Sequence, residues 1–507
     1  VFDRLWRFHG GLKLPGHKQL SLSHPLATAP LSEQLIFPLM QRPGVTAKPL
    51  VAVGERVLRG QVIAQAEQLL GVPIIASSSG TITAIDEPRA VPHPSGLPGP
   101  CLIITTDGLD EALPVHPCAD FRALSPQAIR EKIRAAGIVG LGGAAFPSAI
   151  KLTPGPRRPI DLLVVNGAEC EPYITCDDQL LQTQAHDVVR GAQILLHLLG
   201  LQQGIIAVEA DMQAAETALR AALTQLGETR LTVRAVPVVY PTGGEKQLIY
   251  ALTGRETPSG GIPADIGVIC QNVGTTAAIY HAIVRGEPLI ERIVTVTGQA
   301  IRQPQNLRVR IGTPIKTLID YCGGYRAPPS RLIMGGPMMG FALTSDEVPV
   351  VKATNCILVA SDREVVTEKV AQPCIRCGAC AEVCPVELLP QQLYWYSRAE
   401  DLERCKTYNL FDCIECGCCE VVCPSHIPLV QYYRSSKSKI IQKNQEAEKA
   451  AIARRRHEMQ LARKEKERQE RAERAKLKKD ALAKKKALDE QRAAAQSNDN
   501  SDTDELK

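Results

Sequence analysis

The sequence predicts a multidomain α/β chain: a β-rich front, a middle where strands and helices alternate, a small second unit of strands and one helix, an α-helical module built on cysteines, and a charged helical tail. Three observations carry this. Residues 161–239 alternate short apolar runs with longer helical patterns, which calls for βαβ units and a parallel sheet. Between Cys374 and Pro424 the run C-x-x-C-x-x-C-x-x-x-C-P is written twice. From Lys437 to Ala495 there is neither Gly nor Pro, and Ala, Lys, Arg, Glu and Gln dominate, as in a helix without a heptad seam.

Composition sets bounds. At 507 residues the chain has room for three or four domains, and an apolar content of 44% suits ordinary cores. No apolar run approaches the ~18–20 residues of a membrane span, so the chain is not expected to be integral to a bilayer. Seventeen cysteines, about half of them in the repeated motif, and a start without the look of a secretory signal fit a reducing compartment. Residue 1 is Val rather than Met, and residues 1–30 are given little weight. The net charge of +5 belongs to the tail: Lys437–Arg492 holds 20 Lys/Arg against 10 Asp/Glu, leaving the body close to neutral.

In the front, Val51–Ile63 and Ile75–Ile82 alternate apolar and polar positions between glycine turns. The pattern resembles the barrel-sandwich domains of biotinyl and lipoyl carriers. Those carriers modify a lysine at the tip between their halves, and Glu67-Gln-Leu-Leu-Gly71 has none, so a structural or docking module is expected. After a linker at Asp107–Pro117, Ser125-Pro126 places an N-cap and a first-turn proline on a helix running to Ala136, stopped by Gly137. The glycine loop that follows, Gly140-Leu-Gly142-Gly143-Ala-Ala-Phe146-Pro147 and on to Lys151, is neither a Walker loop nor a dinucleotide fingerprint. Alone it is weak evidence for an anion cradle and reads first as a turn feeding a sheet.

Downstream the expected order is a strand at Asp161–Val165, a helix to Leu199, a strand at Ile205–Glu209, a helix around Ala214–Leu226 and a strand from Leu231. Polar clusters follow the strand ends at Asn166–Pro172, Tyr240–Lys246 and Gln271–Thr276, where parallel sheets bind ligands. Strands at Ile293–Thr297 and Leu307–Ile311 then precede a helix at Ile315–Tyr321, and Met334-Gly-Gly-Pro-Met-Met339 reads as a close-packed turn rather than a metal site.

The cysteine run is that by which bacterial ferredoxins hold two [4Fe–4S] clusters, three thiolates of one copy wrapping a cluster and the fourth reaching to the other. The expected ligand sets are Cys374, Cys377, Cys380 and Cys423 for one cluster, and Cys413, Cys416, Cys419 and Cys384 for the second. Zinc prefers paired C-x-x-C units, and the third cysteine and C-P ending fit it poorly. Cys405 and Cys418 stand outside the pattern. The tail reads first as a solvated charged helix, second as a basic segment drawn to anionic lipid, with no specific nucleic-acid module. The polar end, Ser497–Lys507, is expected to be disordered.

The glycine loop ending in Phe146-Pro147 and Lys151, then Asn166-x-x-Glu169-x-Glu171-Pro172, Tyr240…Gly243-x-Glu245 and Asn272-Val-x-Thr275, in that order, resembles the flavin- and NADH-binding subunit of respiratory complex I. With a barrel-sandwich front and a two-cluster module behind, the closer resemblance is to the C subunits of the Rnf (Rsx) ion-translocating electron transport complexes. The resemblance implies non-covalent FMN, two [4Fe–4S] clusters and NAD(H) as substrate. It implies that backbone around Gly140, Gly142 and Gly143, with Lys151, meets the FMN phosphate. Asn166, Glu169, Glu245, Asn272 and Thr275 would surround the flavin, and Phe146 would offer a face to the nicotinamide nucleotide. Two positions depart from the complex I pattern, Ala168 and Gly244, and leave fewer carboxylates for the nucleotide.

The division expected is an extension over 1–30, a barrel-sandwich module over 31–108, a Rossmann-like FMN/NADH domain over 125–290, a β-grasp (SLBB-like) domain over 291–345, a two-cluster ferredoxin domain over 363–435 and the tail over 436–507. The implied function is that of a peripheral subunit on the cytoplasmic side of the bacterial inner membrane, an NAD-linked oxidoreductase and translocase component. It would pass electrons between NAD(H) and ferredoxin or partner subunits of the complex, with no residue acting as general acid or base. A diaphorase subunit of a soluble hydrogenase or dehydrogenase, and a non-enzymatic iron–sulfur scaffold, are the alternatives.

Overall fold

The structure, a computed structural model, describes residues 4–42, 44–155, 158–365 and 370–499. It divides into two units, Val1–Arg434 and Ser435–Lys507.

The front of the first unit is two four-stranded antiparallel sheets. One orders Gln34–Pro38, Pro98–Thr106, Gly80–Ala90 and Arg56–Val57, the other Met40–Arg42, Val45–Pro49, Val62–Ala66 and Ile74–Ile75. Leu35, Phe37, Ile63, Ile82, Leu102 and Ile104 are buried with them, each full burial of such a side chain being worth roughly 1.5–3 kcal/mol.

The middle is the parallel sheet the alternation calls for. Its four strands lie in the order Leu231–Val236, Gly204–Glu209, Leu162–Gly167, Val268–Asn272, all parallel. The chain therefore builds outward through three strands and returns to the far side of the first for the fourth. That reversal makes a crevice at the carboxyl ends of Leu162–Gly167 and Val268–Asn272, where open α/β sheets take their ligands. Asn166 and Asn272 are register partners at its rim. Leu162 to Val165 are fully buried, as a strand covered on both faces requires. The long helix Cys176–Leu199 and the helix Val273–Tyr280 pack on the sheet, and Gly191 is needed where they touch, since a Cβ there would stand 2.0 Å from the Thr276 carbonyl oxygen.

A six-stranded mixed sheet follows, ordered Ala27–Thr28, Gln305–Arg310, Glu291–Thr297, Cys356–Ala360, Arg331–Met334 and Phe341–Leu343, with the helix Ile315–Tyr321 against it. Its first strand comes from the N-terminal extension. The extension, given little weight in the sequence, is thus built into the body. Lys18 is buried with its Nζ 2.8 Å from Glu209 Oε2 and 2.7 Å from the Glu169 carbonyl, and although burial opposes its charge, these carboxylates hold its pKa above the usual value. Gly11 and Leu12 bond to Val383 O and Tyr240 O, bridging the parallel-sheet domain to the cysteine module.

The last helix spans Leu429–Asp499 and includes the first residues of the stretch expected to be disordered; from residue 500 that expectation lies outside the described residues. In the second unit every side chain from 441 to 495 is exposed, as befits a solvated charged helix. Among the described residues no helix is long and apolar enough to cross a membrane.

Candidate cofactor sites

At the crevice the glycine loop crosses the strand ends. Gly140 N donates to Phe146 O at 2.8 Å, and Leu141 N donates to Thr275 Oγ1 at 2.8 Å. Gly140 therefore does not offer its amide to a ligand, which corrects one element of the sequence reading. The next three amides, of Gly142, Gly143 and Ala144, have no acceptor among the described residues, and all three residues are exposed. Gly143 sits at φ +107°, a conformation that suits glycine, and consecutive free N–H groups of this kind form an anion-binding concavity. Ala144 belongs with them and carries no side-chain signal by which sequence could mark it. Lys151, on the short helix Ser148–Lys151, pairs with Glu245 at the start of the helix Glu245–Thr253.

The structure brings the other expected residues to the same crevice but engages most of them in framing it. Asn166 Nδ2 donates to Gly243 O at 2.9 Å, while its Oδ1 accepts from Ala168 N. Asn272 caps the helix Val273–Tyr280, its Oδ1 accepting from Gly274 N and Thr275 N, and its Nδ2 donates to Asp177 Oδ2 at 2.6 Å. Thr275 is fully buried and holds the loop through Leu141. Glu169 is buried too, accepting from Asp177 N and Asp178 N at the start of the helix Cys176–Leu199 and from Cys176 Sγ. Phe146 is half-buried with the Arg42 guanidinium over its ring at 5.4 Å, so a cation from the barrel-sandwich module already covers one face. Of these residues, the Gly142, Gly143 and Ala144 amides are left without a partner, Lys151 and Glu245 are engaged with each other, and one face of Phe146 is not covered by Arg42.

Burial, and next the Asp177 charge, pushes the Glu169 carboxyl well above the usual carboxylate range, and burial raises Asp177 as well. Glu171 is raised by burial to about 7 while Met338 N and Met339 N, at 2.6 and 3.1 Å, donate to its Oε1. A Cβ on Gly336 would stand 2.1 Å from Glu171 Cγ, so the glycine-rich turn is closely packed, as its sequence suggests, and Glu171 latches the two domains. A carboxyl whose folded pKa lies above its ordinary 4.5 contributes stability that is present below that value and is lost as pH rises to about 7. Glu171→Gln keeps the accepting oxygen and removes the titration. Its melting temperature should match the parent's near pH 4.5 and exceed it above pH 7, by the equivalent of ~2–3 kcal/mol; parallel melting profiles across that window would exclude this role.

A cavity of about 810 Å³ lies behind the loop and reaches Leu141, Asp177, Gly274 and Arg292, but none of Gly142, Lys151, Asn166 or Glu245. Its arginines are largely engaged already, Arg59 and Arg310 with Asp110, and Arg308 and Arg310 with Glu291.

The cysteine module repeats down to the backbone. Arg376 and Glu415, Gly378 and Gly417, and Glu387 and His426 occupy equivalent places in the two copies, and all have positive φ. The short helices Ala379–Glu382 and Cys418–Val421 also correspond. Two pockets result. One is lined by Cys374, Cys377, Cys380 and Cys423, the other by Cys384, Cys413, Cys416 and Cys419, so each takes three cysteines from one copy and the fourth from the other. Equivalent tyrosines, Tyr394 and Tyr433, wall them. Cys418 also lines the second pocket, whereas Cys405 is buried apart, beside Ser397. Four thiols converging on each pocket fit a cubane. Burial raises the pKa of Cys380 and Cys384, so iron must displace their protons on binding.

The second pocket faces the parallel-sheet domain. Tyr240 OH donates to Cys416 O at 2.7 Å, and Tyr240, Cys416, Cys418, Leu12, Cys170 and Met338 form one apolar cluster. The first pocket lies toward solvent, with Cys377 exposed and Ile375 68% exposed.

A loop of free amides at the switch point of a parallel sheet, joined to a two-pocket cysteine module, is the layout of a flavin- and iron–sulfur-binding protein. Family models match in the same order: the RnfC barrel sandwich hybrid domain over residues 6–109, the Nuo51 FMN-binding domain over 133–281, the SLBB domain over 293–342 and the 4Fe-4S dicluster domain over 373–427. FMN and two [4Fe–4S] clusters are the cofactors these domains carry. Curated relatives named as the C subunit of an ion-translocating oxidoreductase complex include one from Pseudomonas aeruginosa, 48% identical over 468 residues, or 92% of this chain and 60% of that one. Another, from Vibrio cholerae serotype O1, is 47% identical over 93% of this chain and 61% of its own length. A third, from Yersinia pestis bv. Antiqua, is 48% identical over 91% of this chain and 74% of its own length. The chain belongs to the family of ion-translocating oxidoreductase complex C subunits, and it spans about 60% of the length of the first two of these relatives. A solved chain of an NAD+-reducing [NiFe]-hydrogenase in the H2-reduced state is 17% identical, covering 64% of this chain and 62% of its own, with a TM-score of 0.42, too slight a likeness to bear on function.

Proposed function

We propose that the chain passes electrons between NAD(H) and the other subunits of an ion-translocating oxidoreductase complex, as a peripheral subunit on the cytoplasmic side of the inner membrane. Ferredoxin or a partner subunit is the other redox party, and ion movement is left to integral partners. One observation carries this reading: the Tyr240–Cys416 contact joins the crevice domain to one of the two cysteine pockets.

FMN, when bound, exchanges a hydride with the nicotinamide and parts its two electrons singly for the clusters. The chain's own residues supply position and field. Gly142, Gly143 and Ala144 amides with Lys151 hold the phosphate. Asn166, Asn272 and Thr275 keep the rim rigid, while Glu245 and the open face of Phe146 border the space for the nucleotide. Cys384, Cys413, Cys416 and Cys419 hold the cluster next to the flavin domain. Cys374, Cys377, Cys380 and Cys423 hold the outer one, whose exposed edge at Ile375 and Cys377 is where a partner takes or delivers the electron. The test is anaerobic reconstitution followed by NADH. Flavin bands that bleach, with cluster bands following, are expected; cluster bands without flavin would make the chain a scaffold.

A further inference from the structure

Beneath the glycine loop lies a buried cation that no motif marks. Arg292, on the strand Glu291–Thr297 of the β-grasp domain, is 7% exposed; no carboxylate stands within ion-pair distance among the described residues, although the Asp177 and Glu169 carboxylates and the Cys176 side chain are near enough to favour its charge. Its guanidinium donates to three main-chain carbonyls: Nε to Ile293 O at 3.3 Å, Nη1 to Lys352 O, and Nη2 to Leu141 O at 3.0 Å. Lys352 in turn points its Nζ at Gly137 O, 2.7 Å away, and Pro73 O, 3.2 Å away. A buried charge is costly to keep; Asp177 and Glu169 offset part of that cost, yet the guanidinium's hydrogen bonds go to main-chain carbonyls, one of them the glycine loop's own.

The peptide geometry supplies a reason for that bond. In a trans peptide the C=O and N–H of one unit point in opposite directions. Fixing the Leu141 carbonyl on Arg292 therefore turns the Gly142 N–H the other way. Gly142 is exposed there, and its Cβ position would lie 3.6 Å from the Asn272 side chain at the crevice rim. A guanidinium on the carbonyl end also polarises the unit and strengthens the N–H as a donor. We propose that Arg292 is a positioning residue that aims and charges the Leu141–Gly142 peptide for the phosphate of the bound flavin, with Lys352 fixing the loop's first turn. This rests on the FMN reading of the crevice and gives the β-grasp domain a part in it.

The effect must run through the phosphate, so FMN and riboflavin separate it from general loosening. Binding of each to the full-length chain is measured by flavin fluorescence quenching. Arg292→Met should weaken FMN about tenfold or more, the scale of a lost charge-assisted contact, and leave riboflavin within about twofold. Equal losses for both flavins, or no loss for either, would overturn the proposal while leaving the flavin site in place. Should the parent chain bind neither flavin, the FMN reading fails and this inference with it. If Arg292→Met does not fold, Arg292→Lys decides: one ammonium cannot serve the Leu141 and Lys352 carbonyls as a fork does, so FMN weakens at least about threefold with riboflavin unchanged, and unaltered FMN affinity refutes the role.

Discussion

Replacing Cys384 with serine is expected to remove the cluster whose other three ligands lie in the second motif, lowering iron from about eight to about four per chain. Sequence proximity would assign Cys384 to the first motif; the pockets place it with Cys413, Cys416 and Cys419. Double variants separate the two assignments. Adding Cys413→Ser to Cys384→Ser should cost nothing further, because both changes strike one cluster, and about four irons should remain. Adding Cys374→Ser instead should leave almost none. An uncrossed arrangement predicts the reverse, so anaerobic iron analysis of these two proteins decides between them.

Lys151→Met should lower FMN affinity about 10- to 100-fold, the loss expected for a charged hydrogen bond of ~1.5–3 kcal/mol, and leave the iron content unchanged. Lys151 is paired with Glu245, so its ammonium is held in place on the short helix that follows the glycine loop. Lys151→Arg should retain part of the affinity, since it keeps the charge but spreads it over a wider fork. Flavin content after desalting, against iron in the same sample, reads the result. Unaltered flavin retention in Lys151→Met would remove the crevice as the phosphate site.

What is legible in the sequence follows from how its signals arise. A parallel sheet buried on both faces writes itself as apolar runs such as Leu162–Val165, and cluster ligands must be cysteines at fixed spacing, so both are readable. The helices Gln213–Gln225 and Ile315–Tyr321 likewise carry their own periodicity. Contacts made through backbone carry no residue type. Gly11, Leu12 and the strand Ala27–Thr28 bind neighbours by main-chain bonds, and so the weight of this extension, which joins three modules, is not legible from its side chains. The crevice residues show the same limit. The polar atoms of Asn272, Thr275 and Glu169, which the resemblance would set around the flavin, are engaged by caps and loop amides, which only partners in space reveal. The free amide of Ala144 and the buried basic side chains of Arg292 and Lys352 leave no trace in a linear pattern, because their roles depend on what lies above and below them.

The claim on which the rest depends is that one chain holds a nucleotide-reducible flavin in electrical contact with two clusters. An anaerobic titration of the reconstituted protein, with NADH first and then a stronger one-electron reductant, counts its electrons. The account predicts about four per chain, two at the flavin and one at each cluster, with flavin and cluster absorbance both responding to NADH. An uptake of about two electrons confined to the clusters, with no response to NADH, would contradict it.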